Sequence, residues 1–328
     1  MRVTNRIMLK TYYLGLLIVA ALVVLPACVE SDDNRVEVKR LDLLLRKGNM
    51  EALGDMRDAA DKLFKISGYG ELTDSALAVY SKAPSITLST SVMDSVWGVE
   101  GQETVAFIDM ERAFGSMVAN FRERLPEVAL PSIYAVVSPF NQSVFTVDSV
   151  MFLGLNHYLG VDYEPYGYFP DYIRRRKVAD RILPDVAEAL VRRDFPYSPA
   201  GDYPTVLSRL LYEGAVTEAV MQLTGLDECQ ALGYDESEWE WLEKNERELW
   251  YALAGRKLLF STDDLTANML VGLSPVTTVL HHESPGYAGR FIGHRIVASY
   301  LKYNKVALSE ILSPVFYDDK QALSKARY

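Results

Sequence analysis

Cysteine is nearly absent from this chain: two in 328 residues, Cys28 and Cys229. Cys28 falls at the end of an N-terminal leader, which leaves one thiol for the folded part. One thiol closes no internal disulfide, so the fold has to stand on its core. With no Cys or His beside it in sequence, Cys229 reads as an inert packed thiol. Histidine is also sparse, four in all: His157, the pair His281-His282, and His294. No two of them have the i, i+4 spacing that sets two imidazoles on one helix face, as H-E-x-x-H zinc proteases require. Positive charge is in deficit, 34 Lys and Arg against 44 Asp and Glu, for a net charge of −10. No basic block exceeds a single turn such as Arg174-Arg175-Arg176-Lys177, which excludes nucleic acid as a partner. That run reads as solvated helix surface. The run "LGLLIVAALVVL" has twelve uncharged residues, too few to span a bilayer stably.

What stands at the N terminus is a leader. Arg2, Arg6 and Lys10 precede the short apolar run, and "LPAC" follows it. The layout is that of a signal peptide over residues 1–27. "LPAC" resembles a bacterial lipobox, with Leu25 at −3, Ala27 at −1 and Cys28 as the acylated residue; Pro26 departs from the usual small residue. A plain secretory signal with an incidental cysteine is the alternative. Residues 28–35 read as a lipidated cysteine followed by an acidic tether, "CVESDDN". Acyl chains contribute about 0.8 kcal/mol per buried methylene, so a multiply acylated Cys28 is firmly anchored.

The remainder, 36–328, is expected to form a single α+β domain, mostly helical, with a small antiparallel or mixed sheet packed on helices. Hydrophobic residues make up 49% and charged residues 24%, an ordinary globular balance. "VEVKRLD" (36–42) alternates and could open as a strand. Helical spacing marks 49–66, 73–83 with Thr73 as N-cap, and one or two helices in 103–126 that stop at Pro126. The runs 132–139 and 142–155 are rich in Val, Ile, Phe and Tyr and read as neighbouring antiparallel strands. Helices are then expected at 180–194, 203–224, 236–258, 286–303 and 306–312. Helices, a small sheet and more helices, in that order, favour α+β over alternating βαβ units.

Between the strands and the later helices lies "NHYLGVDYEPYGYFPDY" (156–172). Its Gly and Pro residues prevent a long helix. Tyr163, Tyr166, Tyr168 and Tyr172 offer apolar area with a polar tip, suited to recognition or to lidding a core.

The helix 203–224 carries the sharpest question. In a zincin frame it reads Tyr212-Glu213-Gly214-Ala215-Val216: the glutamate is present, both histidines are absent. Val206, Leu210, Glu213, Thr217 and Val220 form one stripe, apolar around a central carboxylate. An unpaired buried carboxylate is costly, so Glu213 needs a donor or a water-filled cleft. Gly214 costs about 1 kcal/mol against Ala in a helix interior, consistent with a close-packed backbone or a cleft wall. The stripe Trp239, Leu242, Glu246, Trp250 and Leu253 repeats the pattern. Gly286, Gly289 and Gly293 line one side of the late helix, and Arg290, His294 and Arg295 are the nearest candidate cations. A structural ion-pair network of Glu213, Glu246 and Arg295, or a polar cleft lined by Tyr212, Glu213, Glu246, Arg290, His294 and Arg295, both fit.

The lipobox, "LGLNHYLGVDYEPYGYFPDYI", "LYEG", "GYDESEWEWLEKNERELW" and "PGYAGRFIGHRIVASYL", in this order and spacing, resemble the gliding-motility lipoprotein GldB family of Bacteroidetes. The similarity is good over 130–304 and loose before it. The acidic stretch after Cys28 resembles the export tag of surface lipoproteins in that group. More distantly, the GldB family is similar to predicted zinc proteases, with H-E-x-x-H at the place of 212–216. The resemblance implies a degenerate zincin-like part over 130–304 following a helical part over 36–126. It implies a lipid-anchored envelope protein, at the outer membrane, tied to gliding or secretion machinery, with other envelope proteins as partners. No metal, cofactor or catalytic residue is expected. Three roles stay open: a non-catalytic binder of protein or peptide, a divergent metallohydrolase with Glu213 as base and His157 or His282 as ligand, and a structural component with a filled cleft.

Overall fold

The computed structural model describes residues 34–328. The expected signal peptide, the cysteine expected to be acylated (Cys28) and nearly all of the expected acidic tether lie outside the described residues.

The N-terminal part is a helical layer leading into a sheet. Strand β1 (Val38–Lys39) is followed by helix α1 (Leu41–Arg46), a 3-10 turn (Glu51–Met56), α2 (Arg57–Ile66), α3 (Asp74–Ser81) and α4 (Pro84–Trp97). Next come a small hairpin of β2 (Gly98–Val99) and β3 (Gln102–Glu103), and α5 (Val105–Arg124). The expected helix 49–66 is divided at Gly54, whose φ of 52° ends the first piece. Thr73 caps α3 by accepting from Ala76 N. Helix α4 has no counterpart in the sequence expectations. Its Ser/Thr-rich composition favours caps and turns, but Thr87, Ser89 and Thr90 return their hydroxyls to carbonyls one turn back inside the helix, which satisfies them locally.

The main sheet is mixed, in the order β1-β4-β6-β5, with β4 (Ser132–Val136), β5 (Val144–Val147) and β6 (Val150–Gly154). β4 and β6 are almost wholly buried, which fits central strands covered on both faces. The expected antiparallel pairing of 132–139 with 142–155 is corrected in two ways. The second run is itself a hairpin, β5 against β6, turning at Asp148 and Ser149 with Asp148 at φ 52°. Asp tolerates that left-handed position, so a two-residue turn fits where no glycine marks it. β4 then runs parallel, not antiparallel, to β6, with Ile133 opposite Met151.

The C-terminal part is helical: α6 (Asp171–Arg174), α7 (Ile182–Asp194), α8 (Val206–Thr224), α9 (Glu228–Leu232), α10 (Glu236–Gly255), α11 (Asp264–Val271), α12 (Ala288–Tyr303), α13 (Leu308–Ile311), α14 (Pro314–Tyr317) and α15 (Ala322–Ala326). Helix α8 is apolar nearly all round and buried along most of its length, as a central helix should be. Thr205 caps its start and left-handed Gly225 ends it. α5, α7, α9, α11, α12 and α14 all pack on it. The tightest crossing is with α12. A Cβ on Gly214 would lie 2.3 Å from the Gly293 carbonyl oxygen, and one on Gly293 would lie 2.1 Å from the Leu210 carbonyl oxygen. Gly214 is therefore there for backbone approach.

Candidate functional site

A polar cavity of about 340 Å³ opens where the parallel strands β4 and β6 end. Ligand sites favour that position, just beyond the carboxyl ends of parallel strands, and the volume is that of a small-ligand pocket. The cavity is lined by the segment 140–143 with His157 and Tyr158 from the sheet, by residues of 173–188 around α7, by Leu273 after α11, and by Tyr287 with Arg290 at the start of α12.

The strand ends are bracketed together. Ser138 N donates to Asn156 Oδ1 (3.0 Å), and Asn156 Nδ2 donates to the Ser138 carbonyl (2.9 Å). His157 follows, 3% exposed. Lys177 Nζ lies 3.3 Å from His157 Nδ1. An ammonium only donates, so Nδ1 accepts and Nε2 carries the ring proton. Nε2 then donates to the Pro139 carbonyl at 3.0 Å. Ser138 Oγ, 3.1 Å from Nε2, donates instead to the Gln142 carbonyl at 3.0 Å. Burial, then the Lys177 charge, lower the His157 pKa to about 3. It is a neutral bracket with both nitrogens engaged, and the Ser138 hydroxyl has no base to activate it.

Lys177 is 8% exposed. Its ammonium sits 4.7 Å from the Phe169 ring, 5.1 Å from Tyr166 and 5.4 Å from Phe140. Such a cage supports a cation by the ring quadrupoles. Burial lowers its pKa to about 8 despite the Asp185 charge. Next to it, half-buried Arg176 directs Nη1 to the Leu232 and Gly233 carbonyls and to Tyr287 Oη (2.7 Å). Tyr287 holds a left-handed backbone, φ 45°, costly for a bulky residue. Its hydroxyl donates to the Leu232 carbonyl at 3.0 Å.

The acids on the wall are all paired. Asp185 accepts from Tyr158 Oη (3.0 Å) and Arg181 Nη2 (2.8 Å). Glu188 accepts from Arg192 Nε (2.8 Å) and Arg290 Nη1 (3.1 Å). Behind them, Glu213 is fully buried. Its Oε1 meets Arg209 Nε at 3.0 Å and Arg192 Nη1 at 3.4 Å. Its Oε2 pairs with Arg192 Nη2 and lies 3.4 Å from Arg290 Nε. Burial alone would raise the Glu213 pKa, but Arg290, then Arg192 and Arg209, outweigh it and hold it below the usual value.

Of the residues singled out from the sequence, Arg290 lines this cavity and Glu213 sits one layer behind it. Tyr212 is buried, its hydroxyl donating to the Phe195 carbonyl at 2.9 Å and its ring packed on Tyr197 and Tyr317. His294, Arg295 and Glu246 belong to a different network. His294 Nε2 is 2.9 Å from Glu218 and Nδ1 2.6 Å from Glu228. Burial opposes its charge, yet the two glutamates raise its pKa to about 9. Arg295 meets Glu228 (3.3 Å), Glu243 (3.3 Å) and Glu246 (3.5 Å), and no contact joins it to Glu213. The expected Glu213–Glu246–Arg295 network is thus two networks, because Arg290, one turn earlier on α12, takes the place beside Glu213.

The tyrosine loop also divides. Tyr166 is core, donating to the Asn156 carbonyl and accepting from Leu159 N. Tyr163 packs edge-on against it, Tyr172 is half-buried, and Tyr168 is 95% exposed. Arg176 and Lys177, read as solvated surface, turn inward: Lys177 among the rings of Phe140, Tyr166 and Phe169, and Arg176 toward Leu232, Gly233 and Tyr287. Asp185, Glu188, Arg192 and Tyr287 escaped the sequence reading. The Arg181–Asp185 and Glu188–Arg192 spacings, each i to i+4, were the signals of pairs. Among the described residues the cluster with ligand atoms close enough for a metal is His281, His282 and Glu283. It lies in a loop, and His281 Nδ1 already accepts from Glu283 N at 3.1 Å. Burial, then nearby carboxylates, raise the Cys229 thiol to about 11.

A family model, that of gliding motility protein GldB, matches residues 27–328. No curated protein and no solved structure matches the chain.

Proposed function

The chain belongs to the GldB family of gliding motility proteins, and from that premise we propose that it is a lipid-anchored component of the outer membrane that acts by binding and not by catalysis. Cys28 is the anchor in this reading. Among the described residues no helix is long and apolar enough to cross a membrane.

The observation that carries the non-catalytic reading is the saturation of Glu213. A general base needs a lone pair within reach of its substrate. Both oxygens of Glu213 are occupied by guanidiniums, and the side chain has no exposure. The alternative of a divergent metallohydrolase needs Glu213 with His157 or His282 around one ion, and His282 is grouped with His281 and Glu283. His157 has both nitrogens engaged with Lys177, Ser138 and Pro139 instead. A zincin ancestry remains compatible with α8, where Tyr212 and Val216 stand at the two histidine places.

The binding reading rests on an edge. β5 is the outer strand, and among the described residues no strand pairs with its far side. Gly154 N donates to the Ser143 carbonyl, and with Val144 opposite Leu153 the alternation turns the N–H and C=O of Val144 and Thr146 outward. An extended segment of a partner envelope protein adds to that edge. Its end enters the cavity, since Gln142 and Ser143, immediately before β5, line it. Crosslinking the full-length protein in its own cells tests this. The wild type should capture an envelope partner. Thr146→Pro, which removes an outward donor and leaves the ladder intact, should lose it and stop gliding. Unchanged capture and unchanged gliding in that variant defeat the reading.

A further inference from the structure

The cations of this cavity are not all neutralised, in a chain with acids to spare. Arg181, Arg192, Arg209 and Arg290 each have a carboxylate partner within 3.4 Å. Arg176 and Lys177 have none among the described residues. Arg176 meets two carbonyls and a phenol through Nη1. Lys177 meets three rings and an imidazole nitrogen. Buried cations ordinarily find a counter-ion, and these adjacent residues line the same 340 Å³ space. A second, more apolar groove of about 710 Å³ is different: its cations Arg175 and Arg181 are both ion-paired.

We propose that Lys177 and Arg176 form a receptor for a carboxylate carried by an extended peptide, the group that enters the cavity from the β5 edge. The proposal rests on the binding reading above and gives that ligand its chemistry. Three features select a carboxylate monoanion. Asp185 and Glu188 share the lining, so a dianionic phosphate meets two like charges where a monoanion meets less repulsion. Arg176 commits Nη1 to Leu232, Gly233 and Tyr287, which leaves the Nε/Nη2 edge of its guanidinium to match a carboxylate. The aromatic cage holds Lys177 in place, so its ammonium is organised before the ligand arrives.

The carboxylate could belong to a chain terminus or to an acidic side chain, and the test separates them. The full-length protein in detergent is titrated with three N-acetylated Val/Thr pentapeptides: one with a free C terminus, one C-terminally amidated, and one amidated with a central Glu. At least one carboxylate peptide should bind tenfold or more tighter than the neutral amide, and which one identifies the source. Lys177→Met, which keeps the length and apolar contacts of the side chain, should reduce that preference below twofold. Lys177→Arg should retain most of it. Thermal melting of both variants confirms the fold. Carboxylate and amide peptides of equal affinity overturn the carboxylate receptor yet leave edge binding standing. A preference that survives Lys177→Met overturns it as well, as does inorganic phosphate competing better than acetate. If none of the peptides binds, the receptor falls; edge binding is judged separately by Thr146→Pro crosslinking.

Discussion

Glu213→Gln separates a structural carboxylate from a working one. The substitution keeps the size of the side chain and one carbonyl oxygen. It turns the other oxygen into an amide nitrogen, facing guanidinium nitrogens that also donate. Arg209 and Arg192 converge on Oε1 and Arg192 and Arg290 on Oε2, so either rotamer sets donor against donor. Removing one partner from a buried ion network costs about 3–5 kcal/mol. Arg290 and Arg192 keep Glu188, which puts the expected loss at the lower end, about 3 kcal/mol. For a protein of this size that corresponds to a fall in Tm of roughly 5 °C. Urea unfolding should show a lower midpoint with an unchanged m-value. The pH dependence has a definite sign. The Glu213 pKa is depressed on folding, so its stabilisation is present above the ordinary carboxylate pKa and is lost as pH falls through the folded value. The acid limb of wild-type stability should flatten in Glu213→Gln. A variant with wild-type midpoint and wild-type acid limb, but without partner capture, would refute the structural assignment and return Glu213 to the site's chemistry.

Three further outcomes follow from the geometry. His294 has its folded pKa raised to about 9 from 6.5, so its stabilisation, about 3 kcal/mol at one pKa unit per 1.36 kcal/mol, is full below pH 6.5 and lost as pH rises through 9; His294→Gln should abolish that decline in denaturant titrations from pH 6 to 10. Gly293→Ala places a methyl 2.1 Å from the Leu210 carbonyl, and despite the better helix propensity of alanine the clash should destabilise by about 1–3 kcal/mol or more, read as a drop in Tm by circular dichroism. The Lys177 pKa is lowered to about 8 from 10.5, so between those values the unfolded chain binds more protons; wild type should gain stability relative to Lys177→Met as pH rises from 8 to 10.5, and an unchanged difference speaks against a buried charged lysine.

The legibility of this chain follows the range of the interactions involved. Caps are local, and Thr73, Thr104 and Asp235 each sit at the helix start that their side chains define. The apolar stripe of α8 was visible from its spacing, and so was the need of Glu213 for positive partners. One of those partners was also within reach, since Arg209 stands four residues before it on the same helix. Arg192 and Arg290 were not, because they reach Glu213 only once α7 and α12 have packed on α8. The same holds for the cavity. Arg174 and Arg175 pair at the surface with Asp171, Asp235 and Glu238, as a basic run is expected to. Nothing in the run itself says that its last two members turn inward; the rings that draw Lys177 in are supplied by Phe140, Tyr166 and Phe169. The β5–β6 hairpin was hidden by a turn of Asp and Ser without glycine.

A carboxylate inside a central helix has few stable settings. It can hold a proton, ligate a metal or its water, or meet cations of the chain. The first is opposed here, because Arg290, Arg192 and Arg209 hold the Glu213 pKa down against burial. The second requires lone pairs directed into open space, and the three guanidinium hydrogen bonds from Arg192 and Arg209, with the Arg290 charge beside Oε2, leave neither oxygen so directed. The third accounts for every contact Glu213 makes. Its consequence reaches the cavity wall. Arg290 binds both Glu213 and Glu188, so the buried pair fixes the position of a guanidinium that lines the pocket, and Glu188 in turn fixes Arg192. Glu213 is thus the keystone of a charged wall. The groups left for a ligand to meet are then Lys177 and Arg176, which the network does not neutralise.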